Sequence, residues 1–302
     1  MDLVWLEDLI ELNATRNFSS AAVARNITQP AFSRRIKALE NWMGTQLIDR
    51  SSYPIKLTPA GETVLEAART LSQDMYRLRD ECRELEVPGI DFLSICALHS
   101  IALCVYPDLA KSLQARIGPY NTRMHATDYY DCLESLSLGR CELALCYDHI
   151  LGPPILKTAQ FQSITIMKDP MILVTAAQNT EEMEAALTSD SRDRALPLVS
   201  YTNGCFLGKM QEILTKSYAG HGVMFYPVFE NSMSEANSRM ILNGTGIGWL
   251  PKSVAKQDLV AGNLVELTGR GVELELDVVL LRRPNVTSDL VNKIWREAEE
   301  AI

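Results

Sequence analysis

The sequence of 302 residues predicts an α/β protein in three successive parts: a small helical domain, one long helix and a larger region of two α/β subdomains. Three observations support this fold class. Residues 1–58 combine short helical patterns with a small hairpin pattern, and residues 59–87 keep one helical heptad pattern. Residues 88–302 alternate strand and helix patterns, which is typical of sheets with crossover helices.

The overall composition is that of a globular protein, with 47% hydrophobic residues, 22% charged residues and a formal net charge of −9. No apolar run approaches the ~20 residues that a membrane-spanning helix needs. The N-terminus is acidic and lacks the basic region of a secretory signal, so we expect the protein in the cytoplasm. The seven cysteines and four histidines show no metal-ligand spacing, and we expect neither a metal nor a cofactor.

Basic residues are concentrated in the N-terminal domain. A net charge of −9 argues against a protein that coats nucleic acid, but it allows one local basic face. Between Leu12 and Leu39 there is no acidic residue, and the acidic residues resume at Glu40. The basic residues of this stretch are Arg16, Arg25, Arg34, Arg35 and Lys37.

The segment TQPAFSRRIKALE, residues 28–40, predicts a helix with one apolar and one polar side. Thr28 is a plausible N-cap, and Pro30 falls in the first turn, where its nitrogen needs no helical hydrogen bond. The apolar stripe consists of Phe32, Ile36 and Leu39. The other side carries Gln29, Pro30, Ser33, Arg34 and Lys37.

A short helix over residues 19–25 precedes this segment, with Ser19 as its expected N-cap. Two short helices joined by a tight turn, the second of them basic, are typical of a helix-turn-helix. Glutamine, serine and arginine near the start of the second helix suit base edges and phosphates in a major groove. The alternative is a solvated amphipathic helix of a bundle, but such a face normally carries charges of both signs.

A hairpin pattern follows Gly44, with short strands at residues 47–48 and 55–57 around a Ser-Ser-Tyr-Pro turn. A hairpin of this size next to a helix-turn-helix is typical of the wing of a winged helix-turn-helix domain. Arg50 and Lys56 lie in it and are expected within reach of a flanking phosphate.

In order and spacing, the segments NFSSAAVARNITQPAFSRRIKALENWMGTQLIDR and IKLTPAGE resemble the winged helix-turn-helix of the LysR-type transcriptional regulators. The resemblance covers about sixty residues and implies double-stranded DNA, at a promoter or operator, as a partner. It also implies a C-terminal effector domain similar to periplasmic solute-binding proteins, with the effector in the cleft between two subdomains. By this resemblance, the DNA-binding positions are Thr28, Gln29, Pro30, Ser33, Arg34, Lys37 and Arg50.

The long helix carries apolar residues at alternating spacings of four and three, which is a heptad pattern. These residues are Val64, Ala68, Leu71, Met75, Leu78, Cys82 and Leu85. A single helix cannot bury so narrow a stripe, so we expect it to pair with a second copy, in a homodimer or homotetramer. Packing against the chain's own body is the alternative. Residues 87–89, Val-Pro-Gly, end the helix.

The C-terminal region reads as two sets of mostly parallel strands with crossover helices, over residues 90–163 with 267–302 and over residues 164–266. The first set has strands FLSICAL, TRMHATD and CELALCYD with helices near 101–116 and 129–138, and a last strand, LELDVVLLRR, and a helix over 287–300 return to it. The second set has strands MILVTAA, LPLVSYT, FYPVFE and GIGWLP. Ligands bind such sheets beyond the carboxyl ends of the strands. Side chains at four predicted strand ends are therefore candidates for effector binding, although the hydroxyls among them could be helix caps alone. The candidates are His99, Ser100, Tyr147, Thr202, Asn203, Ser232 and Met233.

A narrower resemblance concerns redox sensing. The segments ALHSIAL and SMSE resemble the hypochlorite-responsive branch of the same family, which senses through methionine oxidation, and Met233 matches one such methionine position. Cys205 stands where another methionine would be wanted. It is a second possible redox residue, with a low thiol pKa if it lies at a helix start. It has no cysteine neighbour within ten residues, which puts a peroxide-type disulfide in doubt.

The leading hypothesis is a DNA-binding transcriptional regulator that is gated by a small molecule or by an oxidant. A solute-binding protein is the second hypothesis, and the N-terminal domain argues against it. We expect no enzyme and no catalytic residue, because the sequence contains no nucleophile elbow, P-loop or G-x-G-x-x-G dinucleotide turn.

Overall fold

The computed structural model describes residues 2–51, 54–84, 92–153, 161–188, 195–220, 222–267, 274–284 and 288–300. The chain divides into two compact units. The first unit is Met1–Asp91 with Glu134–Cys141, and the second is Phe92–Leu133 with Glu142–Ile302. Within the described residues, no helix is both long enough and apolar enough to cross a membrane.

The first unit begins with three helices and a two-stranded hairpin, followed by a helix of 26 residues. Its elements are α1 (Leu3–Thr15), α2 (Phe18–Ala24), α3 (Gln29–Met43), β1 (Ile48–Asp49), β2 (Lys56–Leu57) and α4 (Pro59–Glu84). The helix-turn-helix and the antiparallel wing are thus confirmed. The predicted end of α4, with Leu85 and residues 87–89, lies outside the described residues.

Helix boundaries in this unit follow from local backbone chemistry. Asn17, and not Ser19, caps α2, because its Oδ1 atom accepts hydrogen bonds from the amides of Ser19 and Ser20. Asn26 is left-handed, with a φ of 54°, and allows the tight turn into α3. Gly44, with a φ of 71°, ends α3. The predicted stripe of α3 is confirmed, since Phe32, Ile36 and Leu39 are fully buried in the core of this unit.

The second unit contains one nine-stranded mixed sheet with helices between its strands. Its strands are β3 (Phe92–Leu98), β4 (Asn121–Thr127), β5 (Leu143–Asp148), β6 (Gln162–Ala176), β7 (Ala195–Tyr201), β8 (Met224–Asn231), β9 (Ile247–Pro251), β10 (Leu264–Glu266) and β11 (Leu274–Arg282). The helices after α4 are α5 (His99–Cys104), α6 (Tyr106–Ile117), α7 (Tyr129–Leu138), α8 (Thr180–Thr188), α9 (Phe206–Gly220), α10 (Ser234–Leu242), α11 (Lys252–Val260) and α12 (Asp289–Glu300). The part of α7 from Glu134 onward belongs to the first unit.

The sheet joins two parallel sets through two antiparallel strands. One set is β4-β3-β5 and the other is β8-β7-β9. β6 pairs with β11 over Gln162–Met171 and with β9 over Met171–Thr175, so it passes from one set to the other. The sequence pattern predicted that β6 starts at Met171, and this was wrong, because the strand starts at Gln162. The segment Lys168-Asp169-Pro170 has the composition of a turn, although Asp169 is buried within the strand. The two sets of parallel strands are confirmed, but they form a single sheet.

Candidate nucleic-acid interface and effector cleft

The outer face of α3 is polar and exposed. Gln29, Pro30, Arg34 and Lys37 are exposed, and Ser33 is half-buried. The side-chain amide of Gln29 donates a hydrogen bond to the Ser33 hydroxyl at 3.1 Å, which orients both groups. The segment that the sequence analysis selected for DNA binding therefore presents its polar side outward, opposite the buried stripe.

Thr28 occupies the N-cap position of α3, as predicted, but its side chain makes no capping hydrogen bond within the described chain. The hydroxyl is exposed. It lies at the N-terminus of a 15-residue helix, where backbone amides and the helix dipole favour an anion.

Two of the basic residues in the acid-free stretch point inward. Arg25 donates to Glu7 at 2.6 Å, to Asp8 at 3.0 Å and to Glu134 at 2.8 Å, all within the first unit. Arg35 lies 3.6 Å from the other oxygen of Asp8. These two guanidinium groups neutralise buried carboxylates, so they are not part of the outer basic face.

Three of the five cations, Arg16, Arg34 and Lys37, are exposed. Arg34 and Lys37 lie on α3, whereas Arg16 ends α1. The sequence pattern identified the basic stretch but could not divide it, because the paired acids lie on a different helix, α1.

The two buried carboxyl groups of α1 differ in their protonation behaviour. Burial would raise the pKa of Glu7, but the hydrogen bond from Tyr76 and the charges of Arg140 and Arg25 lower it overall. Burial raises the pKa of Asp8, and the contact with Arg25 only partly offsets this. Arg25 is thus the cation that both carboxyl groups share, and α1 and α2 are held together through it.

Glu40, the first acid after the basic stretch, is turned toward the wing. Its Oε1 atom accepts hydrogen bonds from the amides of Leu47 at 3.0 Å and Ile48 at 3.3 Å. Its Oε2 atom accepts from Arg50 at 3.2 Å. The guanidinium of Arg50 also stands over the ring of Phe18, 5.6 Å from its centroid, while the side chain remains 54% exposed. Glu40 thus fixes the start of the wing and aims Arg50.

A cavity of about 30 Å³ lies in the second unit, at the ends of four strands. Each of its four walls is a junction between the end of a parallel strand and the start of the next helix: β3–α5, β4–α7, β7–α9 and β8–α10. This is the position at which open α/β sheets bind ligands. The lining residues are Leu98, His99, Ser100, Thr127, Asp128, Tyr129, Cys205, Phe206, Leu207, Ser232, Met233 and Ser234.

The cavity is small because aromatic side chains fill much of the cleft. The rings of Tyr129 and Phe206 stack with centroids 5.0 Å apart, and Tyr147 stacks behind Phe206 at 6.2 Å. One water molecule needs ~10–15 Å³ of such volume, whereas pockets for drug-sized ligands span ~300–1,000 Å³. In this conformation the cleft holds a group of the size of one or two water molecules.

Five of the residues predicted for this site line the cavity: His99, Ser100, Cys205, Ser232 and Met233. The other three predicted residues, Tyr147, Thr202 and Asn203, are not among the described residues that line the cavity. Thr202 and Asn203 lie in the turn before α9, where the Thr202 carbonyl accepts a hydrogen bond from the Cys205 thiol.

Tyr147 is fully buried behind the cavity wall. Its hydroxyl donates to Asp169 at 3.1 Å and lies 3.4 Å from the hydroxyl of Ser100. Burial and the nearby charge of Asp169 hold the pKa of Tyr147 well above its usual value, so it remains a hydrogen-bond donor. Tyr147 thus supports the site from behind.

The sequence analysis missed the wall formed by Thr127, Asp128 and Tyr129. The rule that found the other walls could have found this one, since TRMHATD was a predicted strand and Thr127 is its last residue in the sheet. Phe206 and Leu207 had no comparable signal, because an apolar residue at a helix start is equally suited to a core.

Cys205 caps α9 with its sulfur atom. The thiol donates to the Thr202 carbonyl at 3.2 Å and accepts from the Gly208 amide at 3.2 Å. A Cβ atom on residue 208 would lie 2.4 Å from the Thr202 oxygen, so only glycine permits this approach. Burial raises the pKa of Cys205 in spite of the hydrogen bond from Gly208, so the expected low thiol pKa was wrong.

Sequence profiles match both parts of the chain. Residues 3–62 match the bacterial regulatory helix-turn-helix protein, lysR family, and residues 92–302 match the LysR substrate binding domain. The chain belongs to the LysR family of transcriptional regulators.

Full-length LysR-type relatives extend this likeness over the whole chain. The HTH-type transcriptional regulator YjiE of Escherichia coli K12 is 29% identical over 98% of this chain and 93% of its own length. Among solved structures, DarR of Vibrio fischeri in complex with DNA is similar with a TM-score of 0.59 and 28% identity, covering 99% of this chain and 98% of DarR. HypT of Salmonella typhimurium, a hypochlorite-specific LysR-type regulator, has a TM-score of 0.58 and 26% identity, with 99% and 98% covered.

The long helix α4 of this LysR-type regulator carries an exposed apolar stripe. The heptad residues Val64 and Ala68 pack into the core of the first unit. Leu71, Met75 and Leu78 are 46%, 52% and 52% exposed within the single chain. Of the heptad residues that the structure describes, Val64 and Ala68 are packed within the chain, whereas Leu71, Met75 and Leu78 are left exposed.

Proposed function

We propose that this LysR-type regulator reads its operator with the outer face of α3. The observation that carries the proposal is that this exposed face bears Gln29, Arg34 and Lys37 and no acidic side chain, while Phe32 and Ile36 seat its other face in the core. Glutamine and arginine hydrogen-bond base edges in the major groove, and a lysine nearby neutralises phosphate. Thr28, Pro30 and Ser33 complete the surface that approaches the duplex.

Arg50 serves a different purpose in this proposal. Its guanidinium is held by Glu40 and Phe18 at the wing, away from the base-reading face. A fixed and half-exposed guanidinium suits a phosphate of the flanking backbone, which carries no sequence information.

The two roles predict different effects of substitution. Arg34→Ala should lower affinity for the operator by about 1–3 kcal/mol and reduce its preference over unrelated DNA. Arg50→Ala should weaken binding to both DNAs about equally and reduce the salt slope by about one. Fluorescence anisotropy with a fragment of the gene's own promoter and a shuffled fragment, between low and moderate salt, measures both effects.

Arg35→Ala is a matched control for this experiment, since Arg35 pairs with Asp8 and is not part of the proposed reading face. Its effect on the ratio of the two affinities should be small. An Arg34→Ala variant that retained full preference for the promoter fragment would contradict the assignment.

The stripe on α4 supports a homodimer, or a tetramer assembled from dimers. Leu71, Met75 and Leu78 are spaced as one seam of a coiled coil, and a second copy would bury them. A two-fold assembly would place two α3 helices at two half-sites of one operator. Sedimentation of the protein used in the binding assay should show at least two copies, and a monomer at the concentrations that bind DNA would contradict this part.

The cleft of the second unit is the proposed effector site. The proposed DNA-binding role corresponds to a protein that acts in the cytoplasm. Asp128 puts a carboxylate on one wall, and no lysine or arginine is found among the described lining residues. A small uncharged group fits both the volume and the charge of the cavity.

Oxidant sensing is the second candidate function, because two sulfur-containing residues, Cys205 and Met233, line this cavity. Met233 is 40% exposed, and its thioether reacts without ionisation. Hypochlorous acid would transfer its oxygen to the sulfur, with chloride leaving and the proton passing to water. Cys205 is a weaker candidate, since its raised pKa keeps the thiol protonated.

If oxidation gates this regulator, stoichiometric hypochlorite should convert Met233 to the sulfoxide and change promoter affinity by about tenfold. The polar sulfoxide would be placed beside the stacked rings, where it favours another setting of the cleft. Peptide mass spectrometry and anisotropy on the same sample measure the two events. Met233→Leu should abolish the response, whereas Met224→Leu, at another exposed methionine, should not. A response that survives in Met233→Leu would refute this candidate.

A further inference from the structure

Asp169 is a fully buried carboxylate at the point where β6 passes from one parallel set to the other. It is 1% exposed, and Met171, two residues further along the strand, is the residue at which β6 changes partner from β11 to β9. No lysine, arginine or histidine pairs with it in the described part of the chain. A buried carboxylate without a counter-charge is costly unless hydrogen bonds satisfy its oxygens.

Three donors satisfy Asp169, and they come from both parallel sets. The Tyr147 hydroxyl, on β5, donates to Oδ2 at 3.1 Å. The Ser253 hydroxyl donates to Oδ2 at 2.6 Å, and the Ser253 amide donates to Oδ1 at 2.9 Å. Ser253 lies in the first turn of α11, directly after β9. One carboxylate therefore fastens β5 to the start of α11.

The same chain of contacts reaches the effector cleft. The Ser100 hydroxyl lies 3.4 Å from the Tyr147 hydroxyl, and Ser100 lines the cavity. A ligand that takes the hydrogen of Ser100 would remove a donor from Tyr147. The hydrogen bond between Tyr147 and Asp169 would change strength as a consequence, since linked hydrogen bonds polarise one another.

We propose that Asp169 is the positioning residue that sets the two halves of the effector domain relative to each other, and that Tyr147 couples it to the cleft at Ser100. The inference deepens the proposed control by the effector and rests on it for its functional consequence. The bridge itself requires neither ligand nor DNA. It is therefore testable even if the proposed function fails.

Hydrogen exchange of the full-length protein tests the bridge, because the Ser253 amide is bonded directly to Asp169. Tyr147→Phe removes only one oxygen atom from β5. It should speed exchange of the Ser253 amide about tenfold, although the substitution lies in the other half of the domain. Tyr120→Phe, at another buried tyrosine of the same unit, should leave that amide unchanged.

Two further comparisons separate coupling from a general loss of stability. In an Asp169→Ala background, Tyr147→Phe should add no further effect on the Ser253 amide, because alanine leaves no acceptor for the Tyr147 hydroxyl. In the reverse direction, Ser253→Ala should speed exchange in α5, around Ser100, and Ser253→Thr should restore it, since coupling is reciprocal.

Unchanged exchange at Ser253 in Tyr147→Phe would overturn the proposal and reduce Asp169 to a cap of α11. Additive effects in the double variant would also overturn it. If Asp169→Ala does not fold, Tyr147→Phe with the alanine and threonine variants of Ser253 still decides the question. If the wild-type protein did not bind its promoter fragment, this would count against the proposed function. It would not affect the proposed bridge from Tyr147 through Asp169 to Ser253.

Discussion

Replacing Arg25 with alanine should lower the free energy of unfolding of the first unit by about 3–5 kcal/mol, the range for removing one partner of a buried ion pair. Arg25 is the only residue that donates to both Glu7 and Asp8 among the hydrogen bonds of the described chain. Without it, the 3.6 Å contact with Arg35 is the one ion pair left to Asp8 among the described residues, and the Asp8 side chain is fully buried. Urea unfolding followed by tryptophan fluorescence would measure the loss, since Trp5 and Trp42 lie in this unit.

Arg35→Ala is the matched control. Its side chain is 37% exposed and makes one long contact with Asp8, so its removal should cost less than about 1 kcal/mol. The comparison also tests the division of the basic stretch. If Arg25→Ala left stability unchanged and weakened DNA binding, Arg25 would belong to the outer face and the inward assignment would be wrong.

Replacing Glu40 with alanine should lower the stability of the first unit by about 2–4 kcal/mol and weaken DNA binding, because it removes the acceptor for two amides of the wing. The buried backbone amides of Leu47 and Ile48 would lose their hydrogen-bond acceptor. Arg50 would lose the carboxylate that aims it. The same unfolding and anisotropy measurements apply.

Glu40→Gln separates the two effects. The glutamine carbonyl can still accept the wing amides, so stability should fall by less than about 1 kcal/mol. Its amide group no longer attracts Arg50, so DNA affinity should fall toward that of Arg50→Ala. An equal loss of stability in Glu40→Ala and Glu40→Gln would show that the negative charge of Glu40 holds the wing, and not the hydrogen bonds that its oxygen accepts from the wing amides.

The elements with strong periodicity were predictable from sequence. The stripe of α3, the heptad residues of α4 and helix α7 over Tyr129–Leu138 agree with the sequence pattern. The predicted helix over residues 101–116 is two helices, α5 and α6. The sequence pattern also missed the first half of β6, because a buried aspartate and a proline inside a strand look like a turn until the donors around Asp169 are known.

The candidate cleft was predictable where a polar residue follows a strand. His99, Ser100, Ser232 and Met233 were found in this way. Its size was not predictable, because the volume depends on how Phe206 stacks on Tyr129 from a distant part of the chain. The pKa of Cys205 also depends on packing, and burial there outweighs the helix start.

By itself, the sequence determined that this protein has a LysR-type helix-turn-helix with an acid-free face, a helix with a heptad pattern and two sets of parallel strands. These properties are local, because they depend on periodicity and on residue type within one element. Only the tertiary structure decided which charges are available. Arg25 and Arg35 meet acids of α1, Glu40 turns to the wing, and Arg34 and Lys37 remain outside. Pairing of charges depends on distances between elements that are far apart in the chain, and no pattern along the chain contains those distances.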